Sequence, residues 1–204
     1  MNIVKHYTYF DLSRIKVPNI VSKYWEESKN WVEWFSVRAP TTCVYCSDLH
    51  GHILSINDPN IIWPPVHEHC HCLVLSVPAF KAGTVTDDKY DGVDCYLFVF
   101  HHLPSNYVTK KEAKFQGWRK LKGNLWDVLP GAIIGGDVYR NIDGRLPESP
   151  GRIWYEADFD YMGGFRNNNN RIIYSNDGLV FVTYDHYLTF SEVYWEDNDV
   201  DLYD

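Results

Sequence analysis

No apolar run in the 204 residues approaches the roughly 20 that a membrane span needs, so a spanning helix is excluded at the outset. The opening stretch MNIVKHYTYFDLSRIK has neither the apolar core nor the small-residue cleavage site of a secretory signal. Synthesis in the cytoplasm without such a signal is the expectation, with later export left open. Basic charge is short as well. Lys and Arg number 19 against 27 Asp and Glu, net -8 at pH 7, which removes the overall positive field of a protein that holds nucleic acid by charge alone. An enzyme that visits RNA needs only a local patch and is not excluded. Internal repeats are lacking, and so is any H-x-E motif that would supply the acid-base partner of a catalytic zinc. Cysteines number five, an odd count that argues against a disulfide framework.

Four of those cysteines, Cys43, Cys46, Cys70 and Cys72, lie within thirty residues, interleaved with His67, His69 and His71. Cys43 and Cys46 form a C-x2-C knuckle, which fixes one edge of a zinc tetrahedron. The second edge comes from His67 with Cys70 or from Cys70 with Cys72, so four of the five residues Cys43, Cys46, His67, Cys70 and Cys72 suffice for a structural zinc. The bland alternative is a set of reduced cysteines buried as small hydrophobes beside solvent-facing histidines.

Composition divides the chain near residue 85: 7 basic and 7 acidic residues precede that point, 12 and 20 follow it. The stretch PAFKAGTVTDDK reads as a linker, because Pro, Gly and Thr replace periodic apolar residues. In the first half, Val21, Tyr24, Trp25, Ser28, Trp31, Val32 and Phe35 recur at three- and four-residue steps and predict one amphipathic helix whose aromatic stripe packs into the core. In the second, Val93, Tyr96, Leu97 and Phe100 predict a helix after Asp91. Thr109 with Glu112 forms a capping box that opens a short helix ending at Gly117, and Asn124 caps a further turn through Val128. After Pro147 the period becomes two. RIWYEADF, RIIYS, LVFVTYD and FSEVYW alternate as strands, separated by Gly163-Gly164, the tract Asn167 to Asn170, Asn176-Asp177-Gly178 and the loop from Asp185 to Leu188. Helices followed by an antiparallel meander predict an α+β fold. Beyond Trp195 the chain is an acidic stretch, expected to be a solvated tail over 196–204.

Read for chemistry, the second half sets a carboxylate inside a strand (Glu156), a histidine in a loop (His186) and cations at Lys110, Arg152, Arg166 and Arg171. Such a set suits metal-free phosphodiester transesterification, which needs a base, an acid and fixed cations around the phosphorus. A strand glutamate and a loop histidine are also common as plain surface residues, so spacing alone does not decide.

Two resemblances sharpen the reading. Cys43, Cys46, Gly51, Pro64, Pro65, His67, Cys70 and Cys72 meet the pattern of the cysteine- and histidine-bearing end of the Mu-F-like minor head proteins of tailed phages. The long portion that precedes that motif in the family is not matched. Residues 90 to 193 closely resemble the barnase-like family of bacterial guanyl-preferring ribonucleases, with YDGVDCYL, LPSNYVTKKEA, GWRKLKGNLWDVLPG, IGGDVYRNIDGRLP, GRIWYEADFDY, GFRN, RIIYSNDG and TYDHYLTF in family order. That resemblance implies helices packed on a five-stranded antiparallel sheet with the active site on its open face.

It further implies Glu156 as general base, His186 as general acid, and Lys110, Arg166 and Arg171 as the phosphoryl-binding cations. Tyr187 and Phe165 line the pocket. Tyr139, Arg140, Asn141, Ile142, Asp143 and Gly144 form the base-recognition loop, and Arg152 with Asp177 is a structural ion pair. Asp143 stands where the family has glutamate, Ile142 where it has arginine, and Gly178 where it has tryptophan; the loop from Arg166 to Arg171 is one residue longer. The resulting expectation is three segments: a Mu-F-like zinc-binding module over 1–85, a barnase-like ribonuclease domain over 86–195 and the acidic tail. Together they read as an endoribonuclease toxin of a phage-related polymorphic system that needs no cofactor for catalysis, with RNA as substrate, a barstar-like acidic immunity protein as partner and no membrane. The rival reading is a phage head-associated structural or RNA-binding protein with a catalytically silent barnase-like half. The intact set Lys110, Glu156, Arg166, Arg171 and His186 discriminates, since a binding relic needs neither acid nor base.

Overall fold

The computed structural model of the protein describes residues 25–37 and 39–196. Its frame is one nine-stranded mixed sheet with few helices, an α+β architecture. In chain order the elements are β1 (Trp25–Phe35), α1 (Val44–Asp48), β2 (Ile53–Ser55), β3 (Leu73–Lys81), α2 (Val93–Phe100), β4 (Tyr107–Val108), α3 (Lys110–Phe115), α4 (Leu125–Val128), β5 (Ile133–Tyr139), β6 (Trp154–Asp158), β7 (Arg171–Ser175), β8 (Val180–Thr183) and β9 (Ser191–Tyr194). Across the sheet they run β2-β1-β3-β9-β8-β7-β6-β5-β4. Strands β5 to β9 are consecutive antiparallel neighbours. The sheet does not stop at five, however. Parallel pairing of β3 with β9 and of β4 with β5 extends it at both sides, so the expected five-stranded antiparallel sheet is the middle of a larger mixed one. No helix among the described residues is long and apolar enough to cross a membrane.

The amphipathic helix expected in the first half is a strand. Val21 and Tyr24 lie outside the described residues, and from Trp25 onward β1 pairs antiparallel with both β2 and β3. A bulge between Glu27 and Val32 explains the misreading. Val32, Trp34 and Ser36 are buried alternately, as a strand requires, but the bulge lets Trp31 be buried next to Val32 and so imitates a three- and four-residue spacing. Ser28 closes that bulge, its hydroxyl oxygen accepting from the backbone of Asn30 at 3.1 Å and of Trp31 at 3.0 Å. Glu192 of β9 receives the Ser28 hydroxyl and, at 3.1 Å, the indole N–H of Trp31.

The expected linker is core. Residues Pro78 to Lys81 belong to β3, and Phe80, Ala82 and Val85 are fully buried with Val93, Cys95 and Leu97 of α2 against Ala157, Ile172 and Val182 of the sheet. The turn chemistry serves a tight reversal. Gly83 has φ +84°, and a Cβ there would fall 2.7 Å from the Tyr90 ring. On the opposite face, Trp31, Ile53 and Val77 pack with Leu146, Trp154, Ile173, Phe181 and Phe190. The first half therefore contributes to both layers, and the sheet is continuous across residue 85.

Elsewhere the local signals match the structure. α2 spans the expected segment, and the Thr109–Glu112 capping box is complete in both directions. Asn124 precedes α4 but its side chain does not cap it; instead the side-chain Oδ1 accepts from the Arg119 N–H at 2.8 Å and Nδ2 donates to the Gly117 carbonyl at 3.2 Å, tying two turns together. The Arg152–Asp177 pair forms, with three N–O contacts between 2.8 and 3.0 Å. The acidic stretch from residue 197 onward lies outside the described residues.

Candidate active site

Strand β6 carries Trp154, Glu156 and Asp158 on one face, and the ladder with β7 sets Arg171 opposite Asp158. Lys110, the first residue of α3, reaches across to Glu156 Oε1, while the Tyr187 hydroxyl donates to Glu156 Oε2. Lys110 is itself held by its backbone N–H, which donates to Asp137 Oδ2 at 2.9 Å. Burial opposes charge on Glu156, but the hydrogen bonds from Lys110 and Tyr187 and the positive charges of Lys110 and Arg166 outweigh it and hold the carboxyl below the usual carboxylate range.

Asp158, 1% exposed, is the residue that assembles the cations. Arg166 donates to both of its oxygens, Nη2 at 2.6 Å from Oδ1, and Arg171 Nε faces Oδ1 at 2.9 Å in an ionic contact whose angle is not that of a hydrogen bond. The asparagine tract is structural: Arg171 Nη1 donates to the carbonyls of Asn168 at 3.2 Å and Asn170 at 2.6 Å, and Asn168 in turn donates to the Phe159 carbonyl at 2.8 Å.

His186 and Tyr187 both sit in the left-handed region, at φ 59° and 71°, which non-glycine residues rarely adopt. Buried Asp185 holds them there. Its carboxylate accepts from the Thr183 hydroxyl at 2.8 Å, the backbone of Leu188 and Thr189 at 3.1 and 2.9 Å, and the Thr189 hydroxyl at 2.7 Å. The Tyr187 N–H adds a bond to Thr183 Oγ1 at 2.9 Å. Burial, then the positive charges of Arg171 and Arg166, push the His186 imidazole below its ordinary pKa.

Tyr139 ends β5 and stacks on Tyr187, ring centroids 5.3 Å apart. Past it the loop turns on Asn141, whose buried side chain donates to the Leu146 carbonyl at 2.8 Å and accepts from the Leu146 N–H at 3.0 Å. Arg140, Ile142 and Asp143 are exposed, and so is Phe165, which abuts Gly123.

The second cluster lies in the first half. Cys43, Cys46 and His67 form one group and Cys46, Cys70 and Cys72 another, each with its ligand atoms mutually within 4.8 Å, so the five expected ligands converge with Cys46 common to both. His67 Nε2 is 3.2 Å from both Cys43 Sγ and Cys46 Sγ, and Cys46 Sγ is 3.9 Å from Cys70 Sγ. Zinc–sulfur bonds of about 2.3 Å in a tetrahedron put neighbouring sulfurs about 3.8 Å apart, so these spacings fit that ion. Cys43 caps α1, its sulfur accepting from the Cys46 N–H at 3.4 Å, and His67 Nδ1 engages the Glu68 carbonyl at 2.8 Å, which leaves Nε2 for a metal. His69 and His71 are exposed.

Sequence reasoning placed the carboxylate, histidine and cations but missed Asp158, Asp137 and the Thr183–Asp185 brace. Asp158 had a signal, two residues from Glu156 and on the same strand face. The brace had none, because its meaning depends on the unusual backbone it supports.

A carboxylate, a braced histidine and three cations gathered around one sheet face describe an enzyme of phosphate esters. Comparison with known proteins narrows that class: a family model for ribonuclease matches residues 92–194. A ribonuclease of Heyndrickxia coagulans is 51% identical over 106 residues, covering 52% of this chain and 96% of that protein. Ribonucleases of Bacillus intermedius and Bacillus pumilus are each 51% identical over 106 residues, covering 52% of this chain and 65% of theirs. The chain belongs to the ribonuclease family and is an endoribonuclease.

Proposed function

We propose that the protein cleaves single-stranded RNA without a metal, Glu156 acting as general base and His186 as general acid. Glu156 takes the proton of the ribose 2'-hydroxyl, the 2'-oxygen attacks phosphorus, and the departing 5'-oxygen takes a proton from His186, leaving a 2',3'-cyclic phosphate. Lys110, Arg166 and Arg171 stabilise the negative charge that builds on the phosphoryl oxygens. Tyr139, Arg140, Asn141, Ile142 and Asp143 receive the base, with Phe165 and Tyr187 along the pocket. The observation that carries this reading is the carboxylate of Glu156, kept charged between Lys110 and Tyr187 two residues along β6 from the aspartate that clamps both arginines. Its test is incubation of the purified full chain with RNA in excess chelator. Cleavage with cyclic-phosphate ends is expected; loss of all cleavage while the fold persists overturns the assignment.

The division of labour is part of the same proposal. Residues 86–195 carry the chemistry, and 1–85 carry a structural zinc held by four of Cys43, Cys46, His67, Cys70 and Cys72, which would cross-link α1 to the segment 67–72. Protein purified under reducing conditions without chelator should contain about one zinc per chain, and Cys46→Ser should lose it; zinc-free wild type removes the site. The biological reading is a toxin of a phage-related polymorphic system, supported by the phage-like cysteine pattern joined to a ribonuclease. The cationic pocket suits an acidic, barstar-like inhibitor, whose association should slow steeply with added salt.

A further inference from the structure

Nothing in the ribonuclease match, which begins at residue 92, assigns a role to residues 51–53, yet these residues meet the loop that receives the base. The Ile53 N–H donates to the Arg145 carbonyl at 2.7 Å. The His52 ring packs against Gly144, beside Asp143, and burial, opposed chiefly by attraction to the Asp143 backbone, lowers its pKa. Close approach depends on two glycines. A Cβ on Gly144 would fall 3.0 Å from His52 Cε1, and Gly51 faces the Arg145 guanidinium, whose Cζ would lie 3.5 Å from a Cβ there.

The contact also reaches the acid. Arg145 Nη1 donates to the Leu188 carbonyl at 2.5 Å, and Leu188 belongs to the Asp185-braced loop that presents His186. From behind, β1 fixes the segment: the Gly51 N–H donates to the Trp34 carbonyl at 2.8 Å, and the Trp34 N–H to the His52 carbonyl at 2.9 Å. Trp34 is fully buried beside Cys46 and Cys72. The base loop thus has an inner anchor in Asn141, within the family match, and an outer one supplied by the first half. Asp143 and Ile142 depart from the family pattern between those two anchors.

We propose that His52 is a positioning residue for base selection: by holding the Asp143–Gly144 backbone it sets where the base-reading groups stand, so the first half of the chain is part of the enzyme's specificity apparatus. The inference rests on the reading of residues 139–144 as the base loop. It is tested with the full chain on guanylyl- and adenylyl-(3'→5')-adenosine, measuring kcat and KM separately. His52→Ala removes the ring that backs Gly144 and should lower the guanine-to-adenine ratio of kcat/KM roughly five- to tenfold through KM. His52→Phe, which keeps the ring volume, should hold the ratio near wild type. An unchanged ratio in His52→Ala, an equal fall for both substrates, a wild type that does not discriminate, or a Phe variant as poor as Ala overturns the inference. Should His52→Ala not fold, the ratio in His52→Ser against His52→Phe decides in the same way. Failure of the catalytic reading would show separately, as full activity in Glu156→Gln, because the ratio is taken within active protein.

Discussion

Glu156 and His186 are tuned in the same direction by opposite requirements. In the proposed mechanism the carboxylate must be ionised to accept a proton and the imidazole protonated to give one, so kcat/KM should rise as pH passes the glutamate pKa and fall as it passes that of the histidine. Both are depressed, Glu156 by its partners against burial and His186 by burial and two arginines, so the bell should lie on the acid side of one built from unperturbed groups. Tyr187→Phe removes a donor to the carboxylate and should move the rising limb to higher pH; a limb that stays in place shows the tyrosine does not tune the base. Glu156→Gln and His186→Gln should each lower kcat by about 10² or more, with thermal melts near wild type. A single-turnover rate within a few-fold of wild type in either variant removes that residue from the chemistry. The placing of these two groups, one in a strand and one in a loop, was legible from residue type and alternation, whereas Asp158 needed the cross-strand register to be recognised as the clamp. Asp158→Asn should cost about 3–5 kcal/mol of stability, since it leaves the buried Arg171 and the half-buried Arg166 short of a counter-charge, and a denaturation midpoint equal to wild type contradicts that role.

At the level of elements, legibility followed locality. The strands from β6 to β9 were readable because alternation and turn residues lie within each segment, and α3 because Thr109 and Glu112 satisfy each other's backbone within four residues. β1 was not, because Ser28 draws its meaning from Glu192, on a strand more than 160 residues later, and the bulge it closes disguises the period. β3 was hidden for another reason: Pro78 and Gly83 are genuine turn and edge signals, but tertiary burial of Phe80 and Val85 overrides them. Phe80→Ala should therefore destabilise the whole protein by about 3–5 kcal/mol, as in any well-packed core, and not merely loosen a connector. Urea melts followed by fluorescence and by activity should shift together; a shift of the first without the second would mean that the two halves unfold independently.

For the whole molecule, the parallel ladder between Ala79–Lys81 and Glu192–Tyr194 joins segments more than a hundred residues apart. Deleting residues 1–85 strips the covering strand from β9 and opens the clusters around Phe80 and Trp31, so the remainder should melt lower and aggregate more readily than the full chain. A truncated form as stable and soluble as the full chain would show that the extended sheet is dispensable. The same ladder has a consequence in time. On a ribosome, β3 emerges long before the strand it must pair with, and Arg171, His186 and β9 all follow late, so the nascent chain displays an unfinished sheet edge and no assembled pocket for most of its synthesis. With the proposed pocket, cleavage of RNA therefore waits until the last strand has docked, after most of the chain has already been made.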